Sequence, residues 1–151
     1  MRTRVRSETL KIYREQVLRL NPMAGERHSK NHGRKIGGAM VGKYKVITLC
    51  GSTRFKDAFL EAQKRLTLEG NIVISVGLFG HAGDDEVWEG MSEDTLTKTK
   101  IMLDDMHKRK IDMADEIFVI NVGGYVGEST RSEIAYAYSA GKAVRYLEET
   151  T

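Results

Sequence analysis

The chain is expected to fold as an α/β protein: a parallel sheet of four to five strands with helices on both faces, preceded by a basic N-terminal helical extension. Three observations predict this. From Lys45 onward, short β-branched apolar runs alternate with longer segments of helical period. The runs are continuously apolar rather than alternating, as strands buried on both faces are. And 151 residues, 40% hydrophobic and 30% charged, suffice for one globular domain with a sizeable core.

In chain order, "SETLKIYREQVLRL" (7–20) places Leu10, Tyr13, Val17 and Leu20 at helical spacing. Ser7 can cap its start and Asn21-Pro22 can stop it. Residues 21–43 carry turn formers, charge and no period, and read as a linker. His28 and His32 have i,i+4 spacing there, but without helical context or nearby carboxylates no metal site is expected. The folded domain is placed at 44–151. "KVITLC" (45–50) is its first strand. "STRFKDAFLEAQKRLTLEG" follows as a helix with Phe55, Phe59, Ala62 and Leu66 on one face and Gly70 as its stop. "NIVISVG" (71–77) is the second strand. The glycine-rich acidic stretch 77–91 reads as a lid, with Trp88 or Phe79 available to cover a base; a fifth strand could lie near Val87–Trp88. Residues 92–116 form a long helix capped by Ser92, 116–122 the third clear strand, and 142–148 the last.

The charge distribution bounds the partners. Residues 1–45 hold 12 Lys/Arg against 3 Asp/Glu, whereas residues 46–151 hold 12 against 18. The net +3 therefore belongs to the extension, and the folded part is not read as a nucleic-acid binder. The extension reads as a solvated tail or a basic arm, or as the product of a start assigned too early, with Met40 the true start. One cysteine, Cys50, rules out an intramolecular disulfide and argues against a cysteine zinc site, and a cytoplasmic setting is expected. No apolar run approaches the roughly 20 residues of a membrane span, so no membrane partner is expected.

In open α/β sheets, ligands bind beyond the carboxyl ends of the strands. "CGSTRF" falls there: Gly51 allows a tight turn, Ser52 and Thr53 offer hydroxyls, the next helix offers its N-terminus, and Arg54 can grip a phosphate. So does "NVGGYVGESTRSE", in which Gly124, Gly127 and Ser129 precede Glu133. Thr130-Arg131-Ser132-Glu133 matches a capping box, which alone would explain the glutamate. Yet Glu133 shares a helical stripe with Ala137 and Ala140, small residues that let a helix lie close to a sheet, so it is expected to face inward. A carboxylate so placed can serve as nucleophile or base. His107 lies on the stripe Leu103, His107, Ile111, Ala114, with Asp104 one turn earlier; the pair could relay a proton, or His107 could simply pack at the boundary. Asp115 is expected to bond the turn into the third strand.

"LCGSTRF" together with "ADEIFVIN…GESTRSEIAYA…GKAV" resembles the nucleoside 2-deoxyribosyltransferase superfamily, including the related 2′-deoxynucleoside 5′-phosphate N-hydrolases. The resemblance runs from about Lys45 to Leu147. It implies a flavodoxin-like fold, a nucleoside or nucleotide substrate, and homodimers or larger homo-oligomers. It implies that Glu133 attacks the anomeric carbon and displaces the base, and that Gly51, Ser52 and Arg54 hold phosphate or sugar. No metal or other cofactor is implied. The chain departs from the family at Leu49, where a tyrosine is usual, and at His107, where an aspartate is usual. A non-catalytic nucleotide sensor using the same cleft is the alternative expectation.

Overall fold

The computed structural model describes residues 35–36, 39–40 and 42–150. The helix expected over 7–20 and the pair His28 and His32 lie outside them. Within the stretch read as a linker, β1 (Lys35–Ile36) and β2 (Ala39–Met40) pair as a two-residue antiparallel hairpin. The remaining elements alternate: β3 (Val46–Gly51), α1 (Lys56–Leu68), β4 (Ile72–Ile74), α2 (Glu93–Asp112), β5 (Glu116–Ile120), α3 (Glu128–Ser139) and β6 (Ala143–Tyr146). β3 to β6 form one parallel sheet in the order β4-β3-β5-β6. This is an α/β fold of flavodoxin/Rossmann-like kind. The sheet has four strands: Asp85–Trp88, where the sequence left room for a fifth, is a short 3-10 turn.

The central strands are mostly apolar because both their faces are covered; the exceptions, Thr48 and Glu116, are hydrogen-bonded. Alternate residues serve opposite layers. Ile47 and Leu49 of β3, with Phe118 and Ile120 of β5, pack against Phe59, Ala62 and Leu66 of α1. Cys50, Ile117 and Val119 face the other way, against Ile111 of α2 and Ala137 of α3. Helices therefore lie on both faces, with α2 and α3 sharing one. The edge strands β4 and β6 are shorter and only partly buried.

Local chemistry sets most boundaries. At the end of α1 the Gly70 N–H reaches the Thr67 carbonyl and the Asn71 N–H the Leu66 carbonyl, a Schellman closure that places Gly70 at φ 93°. The Ser92 hydroxyl accepts the Thr95 N–H at 3.2 Å and caps α2. That helix stops at Asp112, short of the expected 116. Asp115 instead accepts the Val46 N–H at 2.8 Å and ties the turn before β5 to the start of β3. The start of α1 is also later than expected. Ser52–Phe55 close a turn through the Phe55 N–H and Ser52 carbonyl, so the helix N-terminus stands one turn beyond Ser52 and has no side-chain cap. No helix among the described residues is long and apolar enough to cross a membrane.

Candidate functional site

Loops leave the carboxyl ends of β3, β4 and β5 on the same side of the sheet. After β3 the chain moves outward to β4, then crosses back to β5 on the other side of β3, so the strand order reverses beside β3. Crevices form at such points. Here the crevice is a cleft of about 590 Å³, a size suited to a small molecule. Gly51, Ser52, Thr53 and Arg54 line one side; Gly127, Ser129 and Glu133 line another, with Asp104 of α2 between them. Of the predicted residues, Gly124 and His107 do not line it. The Gly124 N–H is engaged by the Glu148 carboxylate at 3.1 Å. His107 lies behind Glu133, 7% exposed.

Gly51 fixes the exit of β3. A Cβ there would sit 2.9 Å from the Ile120 carbonyl oxygen, so only glycine lets the strand end run against β5. Beyond it, the Ser52 hydroxyl accepts the Arg54 Nε–H at 3.1 Å. The Arg54 guanidinium lies 4.5 Å over the Tyr125 ring and reaches the phenol oxygen at 3.4 Å. Phe55 meets the same ring edge-on at 5.9 Å. Tyr125 thus joins the two loops across the mouth, while Arg54 stays exposed on the cleft wall. Nothing in the sequence singles out Tyr125, because only the fold brings it to Arg54.

Glu133 does not open α3. The helix starts at Glu128 after Gly127, an extended N-cap without a side-chain cap. Thr130 is therefore buried inside the first turn, and the capping box does not form. Glu133 occupies the second turn and points inward, as expected. The stripe beneath it holds only to Ala137, since Ala140 is exposed at the helix end.

Beneath the cleft wall three elements meet. Cys50 at the end of β3, His107 of α2 and Glu133 of α3 bring their sulfur, nitrogen and oxygen atoms within 4.8 Å of one another. Cys50 Sγ lies 3.4 Å from His107 Nε2, and Glu133 Oε2 lies 3.8 Å from the same nitrogen. Oε2 is buried and has no hydrogen-bond partner among the described residues. One turn beyond His107, α2 is pinned to the sheet: the Thr48 hydroxyl donates to the Lys110 carbonyl at 2.9 Å, and Lys110 Nζ to the Ser75 carbonyl at 2.9 Å. These contacts hold the imidazole over Cys50. The single cysteine had signalled nothing as a site residue; strand parity places it under His107 only once the face carrying α2 is known.

Electrostatics follow from burial. Burial pushes the Glu133 carboxyl up to about 7; contact with the Cys50 thiol pulls it back, the Asp104 charge adds to the rise and Lys108 opposes it. Burial, then the Lys110 ammonium, hold His107 down at about 4, against the Leu49 carbonyl and Asp104. Burial, then the Glu133 carboxylate, raise the Cys50 thiol well above its usual range. Between about 4 and about 7 both His107 and Glu133 are neutral, and above 7 only Glu133 is charged. The pair is therefore not a standing ion pair despite its geometry.

Asp104 is exposed on the cleft wall and takes a long contact, 3.4 Å, from the Ser129 hydroxyl. In the stretch read as a lid, the two candidate covers separate. Phe79 packs edge-on against Phe59 in the core at 5.5 Å. Trp88 donates to the Gly80 carbonyl at 3.1 Å and lines the cleft. Asp84 accepts the Phe79 N–H at 2.7 Å, so it serves the fold of that loop.

Compared with known proteins, the chain matches no family model, no curated protein and no solved structure.

Proposed function

We propose that the cleft cleaves or transfers an N-glycosidic bond of a nucleoside or nucleotide, with Glu133 as the attacking carboxylate. The observation that carries this reading is the Glu133 carboxylate itself. It reaches a small-molecule cleft at the strand ends, and its Oε2 is buried without a hydrogen bond among the described residues. A carboxylate poorly solvated and unpaired is a strong nucleophile once ionised, and its charge finds relief in a covalent glycosyl bond. The bond formed is Glu133 Oε to the anomeric carbon; the bond broken joins that carbon to the base nitrogen, whose electron pair leaves with the base. Water or a second base then takes the sugar and frees the carboxylate. The resemblance at "CGSTRF" and "GESTRSEIAYA" supports the same reading.

The other residues take roles from where they stand. Arg54, with Ser52, faces the cleft with unused donors suited to a phosphate or sugar hydroxyl. Asp104, on the wall beside Glu133, is better placed than His107 to meet sugar or leaving base. His107, behind Glu133 and neutral at working pH, acts as a positioning residue. Trp88 offers an apolar wall for the base. The resemblance also carries homo-oligomeric assembly.

The test is base release, followed by chromatography, from nucleosides, deoxynucleosides and their 5′-monophosphates, with and without an acceptor base. Wild type is expected to release base and Glu133→Gln to lose at least about 1,000-fold, as nucleophile removal does. Arg54→Ala is expected to weaken kcat/KM about 10- to 100-fold for the 5′-monophosphates and little for the nucleosides, the magnitude of a lost charge-assisted contact. Equal turnover by wild type and Glu133→Gln would overturn the assignment. Tight nucleotide binding without product would turn the reading to the sensor.

A further inference from the structure

The sequence argued against a cysteine zinc site because a structural site usually needs several cysteines. That argument does not reach a mixed-donor site, and the layer just beneath the cleft has the makings of one. Cys50, His107 and Glu133 supply sulfur, nitrogen and oxygen donors from three different elements, and all three atoms lie within 4.8 Å of one another. We propose that this triad binds one Zn²⁺ ion, with the fourth position open toward the cleft.

Geometry carries the inference. Around a tetrahedral zinc the usual bond lengths place a sulfur and a nitrogen ligand about 3.6 Å apart, and a nitrogen and an oxygen ligand about 3.3 Å apart. Here the Cys50–His107 separation is 3.4 Å and the His107–Glu133 separation 3.8 Å. Shifts of a few tenths of an ångström meet both. Nε2 is the atom turned toward the other two donors. The Glu133 Oε2 atom, buried without a hydrogen bond among the described residues, is the oxygen that stands 3.8 Å from His107 Nε2 and is open to a metal ion.

Charge and donor chemistry favour zinc. A thiolate and a carboxylate balance a divalent cation, so the loaded site is neutral and its burial carries no net charge penalty. The thiol proton, and any on Glu133, leave to solvent as the ion binds. Thiolate and imidazole select zinc over calcium or magnesium, which take oxygen donors. Glu133 lines the cleft while Cys50 and His107 lie beneath it, so the side left for a fourth ligand is the cleft side.

The test uses the full-length, metal-stripped protein. Zn²⁺ is titrated by calorimetry, and Co²⁺ serves as a spectroscopic probe. One equivalent is expected to bind. The cobalt form should show thiolate-to-cobalt charge transfer with tetrahedral ligand-field bands, lost when Zn²⁺ displaces the cobalt. Since Cys50 is the sole cysteine of the chain, a thiolate band reports this site and no other. Cys50→Ala, checked for its fold by circular dichroism, should bind Zn²⁺ at least about 100-fold more weakly, since loss of an outer-shell partner already costs 10- to 100-fold. No stoichiometric binding, cobalt binding without a thiolate band, or unchanged affinity in Cys50→Ala would each overturn the proposal. The metal readouts are independent of turnover. Base release by the stripped protein decides the glycosidic reading separately, and Zn²⁺ should inhibit it by occupying Glu133.

Discussion

Two glutamates, one buried and one largely buried, stand at opposite ends of the sheet. Glu116 opens β5 at the amino end of the strands, and its side chain is 4% exposed. It is paired twice: Lys45 Nζ lies 3.2 Å from one carboxylate oxygen, and Arg145 Nε donates to the other. Both cations keep about half their surface in water, so they lose little hydration while they neutralise the carboxylate. Glu133 stands at the carboxyl end, 13% exposed, and among the described residues no cation is within salt-bridge reach except a histidine that burial keeps neutral. The fold pairs one carboxylate with two cations and leaves the other with no charged partner among the described residues. The paired one cross-links β3, β5 and β6, since its partners come from the residue before β3 and from β6. The other faces a cleft. Unpaired burial is costly, and where it persists beside a cavity it is a mark of function rather than of stability.

The largest effect that sharpens this contrast is the pH dependence of base release. If Glu133 attacks, kcat/KM should rise about tenfold per pH unit below about 7 and level off above it, because the carboxylate must be ionised. His107, at about 4, contributes no second limb above pH 5. A rate that instead falls above 7 would make Glu133 a proton donor and break its assignment as nucleophile.

The next effect is on stability, and its sign is opposite to that on activity. The folded-state pKa of Glu133 lies above its unfolded value, so its contribution is fully present below about 4.5 and is lost as pH rises to about 7. Glu133→Gln removes that loss. At pH 8 the variant should be more stable than wild type by up to about 3 kcal/mol, because each pH unit between the unfolded and folded values is worth about 1.4 kcal/mol. The gain should vanish near pH 4. His107 works against Glu133, since its depressed value makes stability rise between about 4 and 6.5. In the wild type the two slopes nearly cancel; in Glu133→Gln the histidine slope should emerge alone. Denaturant midpoints at several pH values measure both. A variant less stable at pH 8 would mean that Glu133 has a partner after all.

The same contrast separates what the sequence made legible from what it did not. Helical spacing was enough to put His107 on the buried face of α2 and Glu133 on the inner face of α3, because a period of 3.6 fixes which residues share a stripe. Continuous apolar runs were enough for β3 and β5, and edge strands were legible in place though not in length. The helix start was not. "GESTRSE" offers a capping box at Thr130, yet a glycine N-cap three residues earlier wins and draws Thr130 into the core. Cys50 and Glu116 could not be read as members of any cluster. Their partners are 57 residues away for the cysteine, and 71 and 29 residues away for the glutamate, and only the parallel register brings them together. Gly124 failed as a cleft residue for a similar reason, since Glu148 of the C-terminal segment takes its N–H.

The smallest effect tests the paired end. Glu116→Gln keeps the shape but removes the charge and one of the two accepting oxygens, so one cation meets an amide N–H₂ in place of an acceptor. Lys45 and Arg145 are half in water, so neither is left as a stranded buried cation, and the several kcal/mol of a fully buried broken pair do not apply. What is lost is one contact outright and charge assistance on the other, about 1–2 kcal/mol in all, because the half-solvated cation that loses its acceptor turns to water. The denaturant midpoint should fall accordingly while kcat and KM for base release stay within twofold, because the whole length of the sheet separates Glu116 from the cleft. Arg145 also stacks 5.5 Å from the Phe118 ring, so truncating it would confound lost charge with lost packing; the glutamine substitution on Glu116 avoids this. A Glu116→Gln protein of unchanged stability would mean that the pairs merely offset the desolvation of the carboxylate. The contrast would then rest on Glu133 alone, with the amino end of the sheet held by apolar packing between β3 and β5 rather than by its ion pairs.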